Sequence, residues 1–304
     1  MRFKHLVFLL FFVLQPYQFL FAQTPTVNCG RIERIESFFS KHVLARTVDV
    51  WLPNNYDSTK RYAVWYMHDG QMLFDGNLTW NKQEWRIDET ICRLINEQAL
   101  QGIIVVGVHN IGEKRYAEYF PQKALNFVDD YYRDSILLPA MQAQPLADNY
   151  LKFLVEELKP FIDSLYFTNP EAEATFTAGA SMGGLISFYA VNEYPNVFGG
   201  AACFSTHWPG IKAHNKVIPK AFSDYFFSQQ KSSDFSFNKF YFVNGDQTLD
   251  AMYPRYQKDI RRMFAKAGYD KNRFKQLNIK GADHSEKSWA LQFEDAFRFL
   301  METK

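Results

Sequence analysis

The 304-residue chain reads as an α/β protein, a doubly wound and mostly parallel eight-stranded sheet with helices on both faces. Three observations predict it. Short, nearly continuous apolar runs recur along the chain, as parallel strands covered on both faces require. Stretches of helical period separate these runs, so strand and helix alternate through the second half. No repeat, low-complexity tract or Pro/Gly/Ser-rich linker divides the sequence, which favours one domain over residues 23–304. With 47% hydrophobic and 17% aromatic residues, the chain has ample apolar surface to fill a core.

Residues 1–22 are different in kind. Arg2 and Lys4 precede an unbroken apolar run from Leu6 to Leu14, and Ala22 stands before Gln23, the pattern of a secretory signal peptide. Gln15, Pro16 and Gln18 interrupt the run, so the sequence predicts cleavage, no stable membrane insertion afterwards, and a periplasmic or extracellular mature protein. Cys29, Cys92 and Cys203 allow at most one internal disulfide and lack zinc-clamp spacing. Cys203, in Ala201-Ala202-Cys203-Phe204, reads as a small buried thiol.

Residues 31–39 and 46–52 alternate polar and apolar side chains, which predicts an antiparallel pair at a sheet edge. The apolar runs 62–67, 102–108, 174–178, 198–204 and 240–243 are the parallel candidates, with a last strand at 274–279. Helical period covers 84–100, 147–165, 183–193, 253–267 and 287–301. Two long stretches without clear period, 110–141 and 206–227, follow strands at the edge where a doubly wound sheet carries ligands. They are expected to build the pocket. A formal net charge of +1 without charged blocks gives no footprint for nucleic acid or an anionic membrane surface.

The chemistry centres on Gly179-Ala180-Ser181-Met182-Gly183, a G-x-S-x-G element between strand-like and helix-like sequence. Small residues on both sides allow a tight, strained strand-to-helix turn that presents the serine hydroxyl, and the Met182 N–H then points from a helix start at the position where an oxyanion develops. A serine nucleophile needs a base, and His284, after the last expected strand, stands in the right chain order. The orienting acid should follow strand 240–243. Asp246 and Asp250 both qualify, and order along the chain does not separate them. His68 beside Asp69, with His109 after the neighbouring strand, lacks metal-site spacing, so no metal is expected and His68 reads as a structural residue under the loop.

The chain resembles the putative esterase family of α/β-hydrolases, the group of enterochelin-type, feruloyl and acetylxylan esterases, S-formylglutathione hydrolase and the mycolyltransferases. The matching residues are His68-Asp69-Gly70-Gln71-Met72-Leu73-Phe74, Arg115 to Pro121, Gly179 to Gly184, Thr248-Leu249-Asp250 through Tyr253, and His284-Ser285-Glu286 with Trp289. The resemblance implies an α/β-hydrolase fold without a large cap domain. It makes Ser181 the nucleophile, His284 the base and Asp250 the preferred acid, with Asp246 the alternative, and it puts a second oxyanion donor on the Gln71 N–H beside that of Met182. Met72 stands where that loop often has Asn.

Aromatic residues cluster in or beside loops at the expected mouth. His207, Trp208, Tyr119 and Arg115 are the substrate-binding candidates, whereas Trp80 and Trp85 read as core. The expected activity is hydrolysis, without a cofactor, of a small-molecule or oligosaccharide ester, either an acyl ester of a carbohydrate or a siderophore-like ester. Acyl transfer to a sugar acceptor and an inactive binding protein on the same scaffold are the competing readings.

Overall fold

The computed structural model describes residues 23–98, 102–141 and 144–301. The signal-peptide reading of residues 1–22 lies outside them. Eight strands form one sheet: β1 (Arg31–Phe38), β2 (Arg46–Leu52), β3 (Ala63–His68), β4 (Ile103–Val108), β5 (Thr175–Ala180), β6 (Gly200–Phe204), β7 (Lys239–Asn244) and β8 (Phe274–Asn278). Their spatial order is β1-β2-β4-β3-β5-β6-β7-β8, antiparallel from β1 through β4 and parallel from β4 to β8.

Burial on both faces explains the continuous apolar runs. In β3, Val64 and Tyr66 enter one core layer while Trp65 and Met67 enter the other, as a period of two dictates. Helices α1 (Ile87–Asn96) and α6 (Glu286–Met301) cover the Trp65 face, where Trp65 packs on Phe293 and Phe297. The opposite face takes α2 (147–165), α3 (Met182–Glu193), α4 (Val217–Gln230) and α5 (Pro254–Lys266). Every residue from Met182 to Asn192 is buried, so α3 is apolar all round rather than striped.

The expectation of an aperiodic pocket loop over 206–227 is corrected by α4. Its buried positions, Ile218, Ala221, Phe222, Tyr225 and Phe226, follow the i, i+3, i+4, i+7, i+8 spacing of an amphipathic helix. Pro219 lies in the first turn, where a missing N–H costs little. The stretch 110–141 is corrected in part as well: 110–129 holds short helical turns, among them Arg115–Tyr119, but 130–141 is one continuous helical segment.

Cys29 and Cys92 form a disulfide with Cα atoms 6.4 Å apart, tying the segment before β1 to α1. Cys203 is a buried free thiol. Among the described residues, no helix is long and apolar enough to cross a membrane.

Candidate active site

The candidate residues gather at the carboxyl ends of the parallel strands, where loops leave an open α/β sheet. Ser181 occupies the single-residue turn between β5 and α3 with φ 58° and ψ −117°, a conformation that L residues avoid. Backbone hydrogen bonds hold it there: its N–H donates to Phe204 O at 2.9 Å, and its carbonyl accepts from His207 N at 3.2 Å. Gly179 is required by close approach, because a Cβ there would lie 2.8 Å from the backbone of Gly183. Met182 is the first residue of α3, so its N–H belongs to the positive end of the helix.

The loop after β3 lies against this turn. Asp69 adopts the left-handed conformation (φ 58°) and starts the 3₁₀ turn Gly70–Met72 that carries Gln71. Gly70 must be small, since a Cβ would come within 2.5 Å of the Gly107 backbone in β4. The Asp69 carboxylate accepts two hydrogen bonds from Arg115, both 2.7 Å, and one from Asn110 Nδ2, also 2.7 Å. Burial opposes this charge, but Arg115 and the donors outweigh it and hold the Asp69 carboxyl below the usual carboxylate range. Underneath, His68 bridges Tyr150 Oη (2.9 Å) and Thr177 Oγ1 (3.1 Å), and burial pushes its pKa down to about 3.

On the other side, Asp250 sits in the turn Thr248–Met252 after β7 and is fully buried. Its Oδ1 is 2.6 Å from His284 Nδ1, and its Oδ2 accepts from Ser205 Oγ and Gly245 N, each at 2.6 Å. Asp246 faces away from His284: its carboxylate takes Gly281 N at 2.8 Å and joins two loops. His284 is oriented further by its own N–H to Thr248 Oγ1 (3.0 Å) and by Trp289, whose ring meets the imidazole edge to face at 5.1 Å. Trp289 Nε1 donates to Ser205 Oγ at 2.9 Å, so a chain of donors runs from Trp289 through Ser205 and Asp250 to His284.

The structure buries three of the four substrate-binding candidates. Trp208 is 4% exposed and packs among Phe188, Phe222 and Phe242, since α4 closes over it. Tyr119 is fully buried, with its ring beneath the Arg115 guanidinium at 5.1 Å. His207 has both ring nitrogens engaged within the protein, by Tyr253 Oη at 2.9 Å and Ile211 O at 3.1 Å. Arg115 keeps 29% of its side chain exposed while holding Asp69. Trp85 is core, but Trp80, expected in the core, is 85% exposed. Its loop is held instead by polar contacts, Asn81 Nδ2 to Glu286 Oε2 (2.7 Å) and Lys287 N to Gln83 Oε1 (3.3 Å), two and three residues beyond His284.

Sequence reasoning gave no role to Ser205 or Tyr253. The Tyr253 Oη lies 2.9 Å from His207 Nδ1, and its ring stands 6.0 Å from the imidazole of His284. Both residues carried a usable signal: Ser205 directly follows a strand at the ligand-bearing edge, and Tyr253 stands three residues, one turn, beyond Asp250.

A serine on the turn after β5 of an α/β-hydrolase sheet defines the class, a serine carboxylic-ester hydrolase. The chain belongs to the family described as Putative esterase, whose profile matches residues 44–300. It is 22% identical over 260 residues to the uncharacterized protein YbbA of Bacillus subtilis (strain 168), covering 84% of this chain and 92% of that one. The feruloyl esterase module from Clostridium thermocellum, solved as a mutant with sinapinate, aligns with a TM-score of 0.63 at 18% identity, over 91% of this chain and 90% of that one. The enterobactin esterase FES from Shigella flexneri, solved in the presence of enterobactin, aligns with a TM-score of 0.62 at 16% identity, over 92% and 60%.

Proposed function

We propose that the chain is an exported esterase whose single mature domain, from residue 23, hydrolyses an acyl ester of a carbohydrate or a siderophore-like ester through an acyl-enzyme on Ser181. The observation that carries this reading is the 2.6 Å hydrogen bond of His284 Nδ1 to the buried Asp250, on the same sheet edge as a serine held in a strained turn. A carboxylate only accepts, so Nδ1 bears the hydrogen and Nε2 presents its lone pair as the base.

His284 Nε2 takes the Ser181 proton as Oγ attacks the ester carbonyl. The oxyanion is received by the N–H groups of Met182 and Gln71, each such donor contributing about 3 kcal/mol to the transition state. Collapse returns the proton from His284 to the departing alcohol, and water repeats the cycle on the acyl-enzyme. Asp250 remains a carboxylate throughout and stabilises the imidazolium. No step requires a cofactor.

Export is supported by the signal-like residues 1–22 and by the Cys29–Cys92 disulfide, a bond that persists in oxidising compartments. For the substrate, exposed Trp80 on a loop tethered near His284 offers a face on which a sugar or phenolic ring can stack. Sinapinate and enterobactin, which accompany two of the similar structures, set the choice to be tested. Ser181→Ala is expected to abolish hydrolysis of p-nitrophenyl acetate by the mature protein while leaving thermal unfolding unchanged. Activity within about threefold of wild type would overturn the nucleophile. A panel of acetyl, feruloyl and siderophore esters then identifies the acyl class.

A further inference from the structure

A cavity of about 600 Å³ opens between α4 and α5, a volume in the range of small-molecule sites. Pro219, Tyr256, Ile260 and Met263 line its apolar part, the last three of them buried. Lys216, Lys220, Arg255 and Asp259 supply its charges. Lys220 is paired with Asp224 and Asp259 with Arg262, so these two charges are offset within the protein. Lys216 and Arg255 are exposed and, among the described residues, have no hydrogen-bond or ion-pair partner. The cavity is therefore apolar within and positive at its rim, the chemistry that suits an apolar body carrying an anion.

Two elements join this cavity to the catalytic edge. The loop 207–216 starts at His207, whose N–H holds the Ser181 carbonyl, and ends at the cavity wall with His214, Asn215 and Lys216. The start of α5 runs beside it: Tyr253 Oη is 2.9 Å from His207 Nδ1, and Tyr256 Oη, three residues on, is 3.1 Å from His214 Nδ1. The Tyr253 ring stands 6.0 Å from the His284 imidazole, and three residues of helix add a rise of roughly 4.5 Å, which puts the cavity wall on the order of 10 Å from the base. His284 must lie beside the departing oxygen to give it a proton, so the leaving alcohol is the part of the ester on this side. We propose that the cavity between α4 and α5 receives the far end of that alcohol, and that Lys216 and Arg255 select one whose apolar body ends in a carboxylate. This rests on the reading of Ser181 and His284 as nucleophile and base.

The test compares two acetates that differ only in that charge, 4-acetoxycinnamate and its methyl ester, with hydrolysis by the mature protein read as release of the phenol. Wild type should favour the carboxylate by about fivefold in kcat/KM, through KM, as two partly exposed ion pairs can supply. Lys216→Met combined with Arg255→Met should abolish the preference, and Arg255→Glu should turn it toward the methyl ester. Each comparison is internal to one variant, so a general loss of activity does not disturb it. A wild type without preference overturns the proposal. So does a preference that survives in the double variant, which would assign it to Arg115 at the catalytic edge. Calorimetric titration of the same two compounds into Ser181→Ala, with and without the double substitution, reads the cavity without turnover. If wild type hydrolyses neither compound nor p-nitrophenyl acetate, the esterase reading fails. If it hydrolyses them while Ser181→Ala binds both compounds equally, only the role of the cavity fails.

Discussion

Two regions each bury an aspartate, and they treat it in opposite ways. Asp69, beneath the loop carrying Gln71, meets the guanidinium of Arg115 and the amide of Asn110. Asp88, in the first turn of α1, accepts from the N–H groups of Asn28 (2.7 Å) and Cys29 (3.3 Å), but its other oxygen faces Glu89. No other donor among the described residues reaches Asp88 Oδ1 or Glu89 Oε2, and a proton shared between the two carboxyls satisfies both. Burial, aided by Glu89, pushes the Asp88 carboxyl up to about 7, while Asp69 is held below the ordinary range. Burial drives both carboxyls toward the neutral form. The neighbour decides the sign.

The comparison also separates a clasp from a brace. At α1 the chain is tied covalently, by Cys29–Cys92, one residue from Asn28 and four from Asp88. At the catalytic edge the Asp69–Arg115 pair has no covalent support. Cys92→Ser should have the largest effect, because opening a loop of 63 residues corresponds to roughly 4 kcal/mol on the chain-entropy account. Urea unfolding of the oxidised protein measures it, and a loss below about 1 kcal/mol would mean that the clasp is held by its carboxyls instead. Arg115→Met comes next. With 29% of the side chain exposed, the loss should be about 2 kcal/mol, less than for a fully buried pair, together with a lower kcat as the Gln71 loop loses its support. Unchanged kcat would detach the brace from catalysis.

The smallest effect tests the sign most directly. Because the folded protein raises the Asp88 pKa, the resulting stability is fully present below the ordinary aspartate range and is lost as pH rises through about 7. For Asp69 the contribution is present above the ordinary range and is lost only in acid. Asp88→Asn imitates the protonated carboxyl. Its stability relative to wild type should rise between about pH 4 and about pH 8.5, by on the order of 1 kcal/mol, since the opposite shift of Glu89 offsets part of the effect. A difference from wild type that does not change between the two pH values would show that Asp88 is ionised throughout.

Much of this architecture was legible in the residues. The runs around Val64–Met67 and Ile103–Val108 could only be strands covered on both faces, and they are. The order Ser181, then Asp246 or Asp250, then His284 anticipated three turns on one sheet edge, but the choice between the two aspartates depended on which way each side chain points. Asp250 is aimed inward by Ser205 and Gly245, and Asp246 is drawn outward to Gly281. The exposure of Trp80 and the burial of Trp208 were not legible, for one reason. Their surroundings are made by distant segments: Trp208 is covered by Phe222 of α4, and the Trp80 loop is held by the polar start of α6.

What the sequence by itself determined is what short-range chemistry dictates: strand and helix periods, the glycines that let Ser181 turn, and the order in which Ser181, the two aspartates and His284 leave the sheet. The tertiary structure alone decided which polar atoms meet: the hydrogen of His284 on Asp250, the phenol of Tyr253 on His207, and the carboxyl of Asp88 against Glu89 rather than a cation. Hydrogen bonds and charges act over a few ångströms between residues far apart in the chain, and only the packed sheet brings those residues within reach.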